Sequence, residues 1–171
     1  TKESLERMKY YIDHRIEPAY SSYRLLEADS CALSTYQMQG PFEVIARLGV
    51  NKHTKRPSED DHKAAYLNAL MWTLTGDEAH ARKSIEILNA YSTTLKLIGP
   101  NDNDDPLCAS LQGSMLANAA ELIKHTYSKV TPAEIAGWEK MLRTVFIPVL
   151  DTFFKAKPYT NGNWGAAATK A

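Results

Sequence analysis

The stretch Asp61-His62-Lys63-Ala64-Ala65-Tyr66-Leu67-Asn68-Ala69-Leu70-Met71-Trp72-Thr73-Leu74-Thr75-Gly76-Asp77-Glu78 decides the fold class. From Ala64 to Leu74 it is apolar on almost every side, which is the pattern of a buried helix and not of one with a single wet face. That helix is expected to run from Ser58 to Thr75. Gly76 supplies the residue that ends it, and Asp77 caps a following helix with Glu78 in its first turn. The second helix carries Ala81, Ile85, Leu88, Tyr91, Leu95 and Ile98 on one stripe. So short a turn predicts an antiparallel helical hairpin.

Working outward, the rest of the chain also reads as helix. Leu5, Met8, Ile12, Ile16, Ala19, Tyr23 and Leu26 recur in steps of three and four between Glu3 and Ala28, with a kink or break expected at Pro18. An irregular stretch from Ser30 to Pro57 holds Gly40-Pro41, Gly49 and a basic run from Lys52 to Arg56; a short helix is expected over Phe42 to Leu48. Long loops of this kind are usually functional or mobile. Beyond a polar loop from Pro100 to Pro106, a helix is expected over Ser110 to Thr126, with Met115, Ala119, Leu122, Ile123 and Thr126 inward. The next opens with Thr131 as N-cap, Pro132 at the first helical position and Glu134 completing a capping box. Ile135, Trp138, Leu142 and Val145 keep its period until Pro148, which is expected to bend or end it. Ala166 to Ala171 reads as the opening of a further helix, so the chain is expected to be truncated, proteolysed or only one piece of a larger molecule. No strand is signalled.

The bulk numbers bound the function classes. The 171 residues are enough for one domain with a genuine core, here taken as residues 1–171. Lys plus Arg number 20 and Asp plus Glu number 20, so no net field attracts nucleic acid or an acidic membrane surface. No window approaches the ~18 apolar residues of a membrane span. The first residues lack an apolar signal core, so the chain is either cytosolic or has had its signal removed. Cys31 and Cys108 are either one disulfide or two buried thiols, and their spacing fits neither a zinc site nor a redox pair. Asn101-Asp102-Asn103-Asp104-Asp105 invites a calcium reading but lacks the Gly and distal Glu of an EF-hand loop, so a solvated loop is expected, with no metal or other cofactor.

Hairpins in succession suggest a repeat solenoid or a helical toroid. Tetratricopeptide-like modules keep a period near ~34 residues. Here the apolar helices near Leu70 and Ala117 lie farther apart and the linkers differ in length, which favours an irregular toroid.

Three segments together resemble the alginate-lyase superfamily. They are Asp61 to Asp77 continuing through Ala81 to Ser92; Leu107-Cys108-Ala109-Ser110-Leu111-Gln112-Gly113 with Leu116-Ala117-Asn118-Ala119-Ala120-Glu121-Leu122; and Asn161-Gly162-Asn163-Trp164. The resemblance covers most of the chain from about residue 58 onward. It implies an all-α fold, an incomplete (α/α) toroid of antiparallel helical hairpins, of which this chain is the N-terminal part. It further implies a secreted polysaccharide lyase that cleaves a 4-linked uronic-acid polymer, of glucuronan or alginate type, by β-elimination. The partners expected are that polysaccharide and the remainder of the same protein, as a continuation or a nicked chain, with no nucleic acid and no membrane. Family members are about twice this length, and most of their Arg, His and Tyr residues that act on substrate are expected beyond residue 171. One branch carries a His directly after an Asn pair; Asn161-Gly162-Asn163-Trp164 has none, so the resemblance is to the other branch.

Elimination requires the uronate carboxylate to be neutralised before C5 gives up its proton. Amides suit this task, because their NH2 donors can be aimed and do not titrate. Asn163 and Asn161 are therefore the catalytic candidates, in a turn leading into a helix whose N-terminus adds favourable partial charge; the plain alternative is a turn and an N-cap. Trp164 is a candidate for stacking on a sugar face, or a core anchor. Tyr36, Gln37 and Gln39 are groove-lining candidates or loop polar residues, and Gln112 is similar. His62 beside Asp60 and Asp61 reads as a base with an orienting carboxylate or as part of a solvated first turn. His14, His53, His80 and His125 stand alone. Tyr10, Tyr11, Tyr20 and Tyr23 form either a sugar platform or a packed helix face. The rival functions are a helical-repeat interaction module without catalysis and a toroid glycoside hydrolase, which needs two facing carboxylates.

Overall fold

The computed structural model describes residues 2–100, 104–156 and 162–170. Most of them are helical, and the helix at the centre is the one the sequence marks most strongly. This is α3, Lys55–Thr75, whose Ala64, Ala65 and Ala69 are wholly enclosed. Gly76 closes it in the left-handed region at φ 75° and returns its N–H to the Trp72 carbonyl. Asp77 accepts the Ala79 N–H at 2.9 Å and starts α4, Glu78–Thr94. α4 packs along α3 with Ala81, Ser84, Ile87, Leu88 and Tyr91 buried.

The other face of α3 is covered by α5, Asp105–Thr126. It begins five residues before the expected Ser110, because Pro106 is an acceptable first-turn residue and not a stop. Small residues let these helices approach closely. Gly113 on α5 likewise makes room for the Phe146 ring farther along the chain, since a Cβ there would sit 2.9 Å from it.

Thr131 and Glu134 form the expected capping box at the start of α6, Pro132–Met141. Glu134 also accepts from Asn89 Nδ2 at 2.9 Å, and Asn89 Oδ1 accepts the Trp138 indole N–H at 2.8 Å, so one cap ties α6 to α4. The helix does not end at Pro148. It widens into a π turn over Leu142–Phe146 and continues as α7, Ile147–Lys155. A proline lacks an N–H and crowds the carbonyl four residues back; the wider turn accommodates both. The last helix, α8, Asn163–Lys170, lies on α5 with Gly165 and Ala168 inward.

Two expectations are corrected. Phe42 to Leu48 is not helical: Val44–Ile45 is a short strand β1, parallel to β2, Leu97–Ile98. Isolated helices this short are marginal, and here the backbone finds partners across the chain, such as Lys96 N–H to the Glu43 carbonyl at 2.8 Å. The strands escape notice because two residues cannot show an alternation.

At the N-terminus the break at Pro18 is present, between α1, Lys2–Asp13, and α2, Ala19–Glu27. Neither helix buries a residue, and Met8, Tyr10, Ile16 and Leu25 stay exposed. Among the described residues, no helix is long and apolar enough to cross a membrane.

Candidate functional site

A buried polar centre lies where α3 meets α4, α5 and the loop before β1. Asp61 is fully enclosed, and its two carboxylate oxygens accept four hydrogen bonds. Tyr36 Oη donates at 2.8 Å and the Gln39 N–H at 2.9 Å to Oδ1; the Gly40 N–H at 2.8 Å and Tyr91 Oη at 2.7 Å donate to Oδ2. Three of the four come from residues 36–40, so the carboxylate pins an otherwise irregular loop to the central helix. Gly40 is needed there, since a Cβ would sit 2.6 Å from the Tyr91 hydroxyl. Burial, more than the carboxylate beside them, raises the pKa values of Tyr36 and Tyr91 above the ordinary phenol range.

His62, the next residue, is also fully enclosed. Its ring meets the Tyr91 ring edge-on at 4.3 Å between centroids. Neither ring nitrogen has a hydrogen-bond partner. Burial depresses its pKa to about 3, and the amide of Gln112 on α5 stands close enough to oppose that shift only in part. Gln112 is itself buried: Nε2 reaches Cys108 Sγ at 3.3 Å, and Oε1 has no partner. Cys108 and Cys31 are both buried and are not joined in a disulfide.

These positions revise the reading of His62. Neither neighbouring carboxylate orients it, because Asp61 is taken up as described and Asp60 pairs with Arg56 at 3.1 Å. Nor is this a solvated first turn. Tyr36, His62 and Gln112 do come together, through Asp61 and Tyr91, but in the interior, where no substrate contact is open to His62 or Gln112. Gln37 is exposed and turns back to the Thr35 carbonyl at 2.9 Å. Gln39 is exposed too, its Nε2 donating to Tyr36 Oη at 3.2 Å.

Asn163 lies apart from that centre. It is the first residue of α8, exposed, with no hydrogen bond from its side chain to another described residue. The Gly162 carbonyl accepts the Ala166 N–H at 3.1 Å, so Asn163 stands inside the helix and is not its cap. Asn161 lies outside the described residues, as do Asn101, Asp102 and Asn103 of the acidic loop; of Trp164 only the backbone is described. Asp104 is engaged by Arg47 at 3.3 Å, and among the described residues no three His, Cys, Asp or Glu side chains converge as metal ligands.

Sequence reasoning weighed Asp61 only as an orienting carboxylate for His62, and missed Tyr91 and Asn68 as buried polar partners. Asn68 is buried and binds the Cys31, Leu33 and Ala64 carbonyls through Nδ2, while its Oδ1 meets His80 Nδ1 at 2.8 Å. The available signal was Asn68, an amide inside the stretch 64–74 that is otherwise apolar on almost every side, since buried polar groups need partners; Asp61, among charged neighbours, gave none. No protein-family model, curated protein or solved structure matches the chain.

Proposed function

We propose that this chain is part of a secreted polysaccharide lyase that cuts a 4-linked uronic-acid polymer, of glucuronan or alginate type, by β-elimination. We read its helices as antiparallel hairpins of an incomplete (α/α) toroid. The observation that carries the reading is Asn163, an amide whose side chain bonds to no other described residue, at the exposed start of a helix. An amide so placed meets the first demand of the chemistry, which is to offset the charge of the substrate carboxylate.

In the elimination, a base removes the C5 proton and the electron pair left behind forms the C4–C5 double bond. The C4–O bond then breaks, and the leaving oxygen takes a proton. In this reading Asn163 donates from Nδ2 to the carboxylate, more strongly as charge builds up on it. The first N–H groups of α8 add positive partial charge. His62 is not the base, since it is enclosed, and the Tyr36 phenol proton is committed to Asp61. Glycoside hydrolysis draws less support: Asp61 is enclosed and saturated, and Asp60 is paired with Arg56.

The test is turnover of glucuronan and of alginate, followed by the ultraviolet absorbance of the new double bond. Asn163→Ala should lower kcat/KM by ~10²–10³, as loss of one oxyanion donor does elsewhere. Asn163→Asp should fare worse, because it sets a second negative charge against the substrate. Unchanged turnover in both variants would remove Asn163 from the reaction.

A further inference from the structure

The apex between β1 and α3 carries a run of basic residues, two of them lysines without an ion-pair partner among the described residues. Lys52, His53, Lys55 and Arg56 fall within five residues of a chain whose formal net charge is zero. Lys52, His53 and Lys55 take part in no ion pair among the described residues, and Arg56 meets Asp60 while its side chain stays 80% exposed. The acids nearby are already taken: Glu43 by Lys96, Glu59 by Arg47, Asp29 by Lys63, and Asp61 by its four donors. The segment 44–58 contains no acidic residue of its own.

Local structure lines these charges up. A short 3-10 turn, Lys52–Thr54, runs directly into α3, and Thr54 and Ser58 are buried on its inner side. Residues three and four apart share a helix face, so the exposed Lys52 and Arg56 form a short file on the outer side, with the half-buried Lys55 on its flank. Ahead of the file the chain turns at Gly49, φ 68°, and leaves Leu48 50% and Val50 94% exposed.

We propose that this file and apex form a binding site for a carboxylated polysaccharide chain. The inference rests on the lyase reading for the identity of the polymer. Charges in a row along one helical turn suit a linear chain that repeats a carboxylate on every sugar, and the exposed aliphatic groups offer contact to its C–H faces. An anionic bilayer is the rival occupant. It is favoured less, because the segment has no aromatic anchor and its charges follow a helix axis instead of ringing the apex.

The experiment measures binding of the 171-residue chain to polyglucuronate oligosaccharides by titration calorimetry, against the methyl-esterified oligosaccharide and against phosphatidylserine vesicles. The triple variant Lys52→Ala/Lys55→Ala/Arg56→Ala should weaken polyglucuronate binding at least ~10-fold, as the sum of exposed charge pairs. Rising salt should reduce binding of the unsubstituted chain. A control triple elsewhere, Lys9→Ala/Lys140→Ala/Lys155→Ala, should leave binding unchanged. Equal binding of the esterified oligosaccharide, unchanged affinity in the Lys52 triple, or loss confined to vesicle binding would each overturn the proposal. Binding lost in the triple, with no unsaturated product from the unsubstituted chain, would sink the lyase reading and leave the site standing. Turnover with KM unchanged in the triple would do the reverse.

Discussion

Asp61 and His62 are consecutive residues of α3, both fully enclosed, and the two pockets around them are opposites. The Asp61 pocket supplies two backbone N–H groups and two phenols to one carboxylate. The His62 pocket supplies an aromatic ring edge and a glutamine amide, and leaves both imidazole nitrogens without a bond. Successive helix residues point about 100° apart, so Asp61 reaches the loop and the Tyr91 hydroxyl of α4, while His62 lies between the Tyr91 ring and Gln112 of α5. The difference shows what a charge demands that a neutral group does not. A buried carboxylate without donors would cost many kcal/mol, whereas an imidazole can stay neutral at a cost of about 1–3 kcal/mol for each unmatched group.

The largest effect expected from this contrast is at Asp61. Asp61→Ala leaves four buried or half-buried donors without their acceptor and should cost about 4 kcal/mol or more in urea unfolding. If it costs no more than an exposed substitution, the network does not hold the loop.

The next effect is pH dependence. The folded-state pKa of His62, about 3, lies below its ordinary value of 6.5. As pH falls below that ordinary value, the unfolded chain therefore takes up a proton that the folded chain refuses. The His62 contribution is fully retained above about pH 6.5 and is lost progressively toward pH 3. At pH 5 the loss should be about 2 kcal/mol relative to pH 7. Asp29 is held below the usual carboxylate range by its hydrogen bond from Lys63, and Glu134 by the Thr131 backbone N–H; their losses begin only at more acid pH. Burial also lowers the pKa of His80, which adds a loss of the same sign in this window. Chemical denaturation between pH 5 and 7 therefore assigns the His62 share by difference: His62→Leu should make the profile shallower than that of the unsubstituted protein. A His62→Leu profile as steep as that of the unsubstituted protein would assign the slope elsewhere.

Smaller effects sharpen the same comparison at neutral pH. Tyr36→Phe removes one donor of the Asp61 set and should cost about 1.5 kcal/mol, within the range for bonds to charged groups. His62→Leu removes an unsatisfied group and should cost nothing, or gain up to about 1 kcal/mol. Equal losses at the two positions would mean that His62 is as well satisfied as Asp61.

The parts of the fold legible in the sequence are those fixed by local chemistry. Gly76 and Asp77 end one helix and start the next, and the Thr131–Glu134 capping box marks α6, because caps are made within a few residues. The pairing of Val44–Ile45 with Leu97–Ile98 was not legible, since it depends on contacts across some fifty residues and involves only two residues per strand. The π turn that carries α6 past Pro148 was missed for a related reason: it answers to packing as well as to the proline. Of the candidate residues, Asn163 lies at the exposed start of a helix, as the turn-to-helix pattern around it suggests. The burial of Gln112 and His62 was not legible, because a polar side chain on a helix declares its face only when its neighbours are known.

The most direct test of the central claim is mass spectrometry of the oligosaccharides released when the protein is incubated with glucuronan or alginate. The account predicts fragments lighter by one water molecule than hydrolysis products, each carrying a double bond at its new non-reducing end, and their loss in Asn163→Ala. Fragments that all have the mass of hydrolysis products, with no unsaturated series, or an intact polymer after incubation with folded protein, would contradict it.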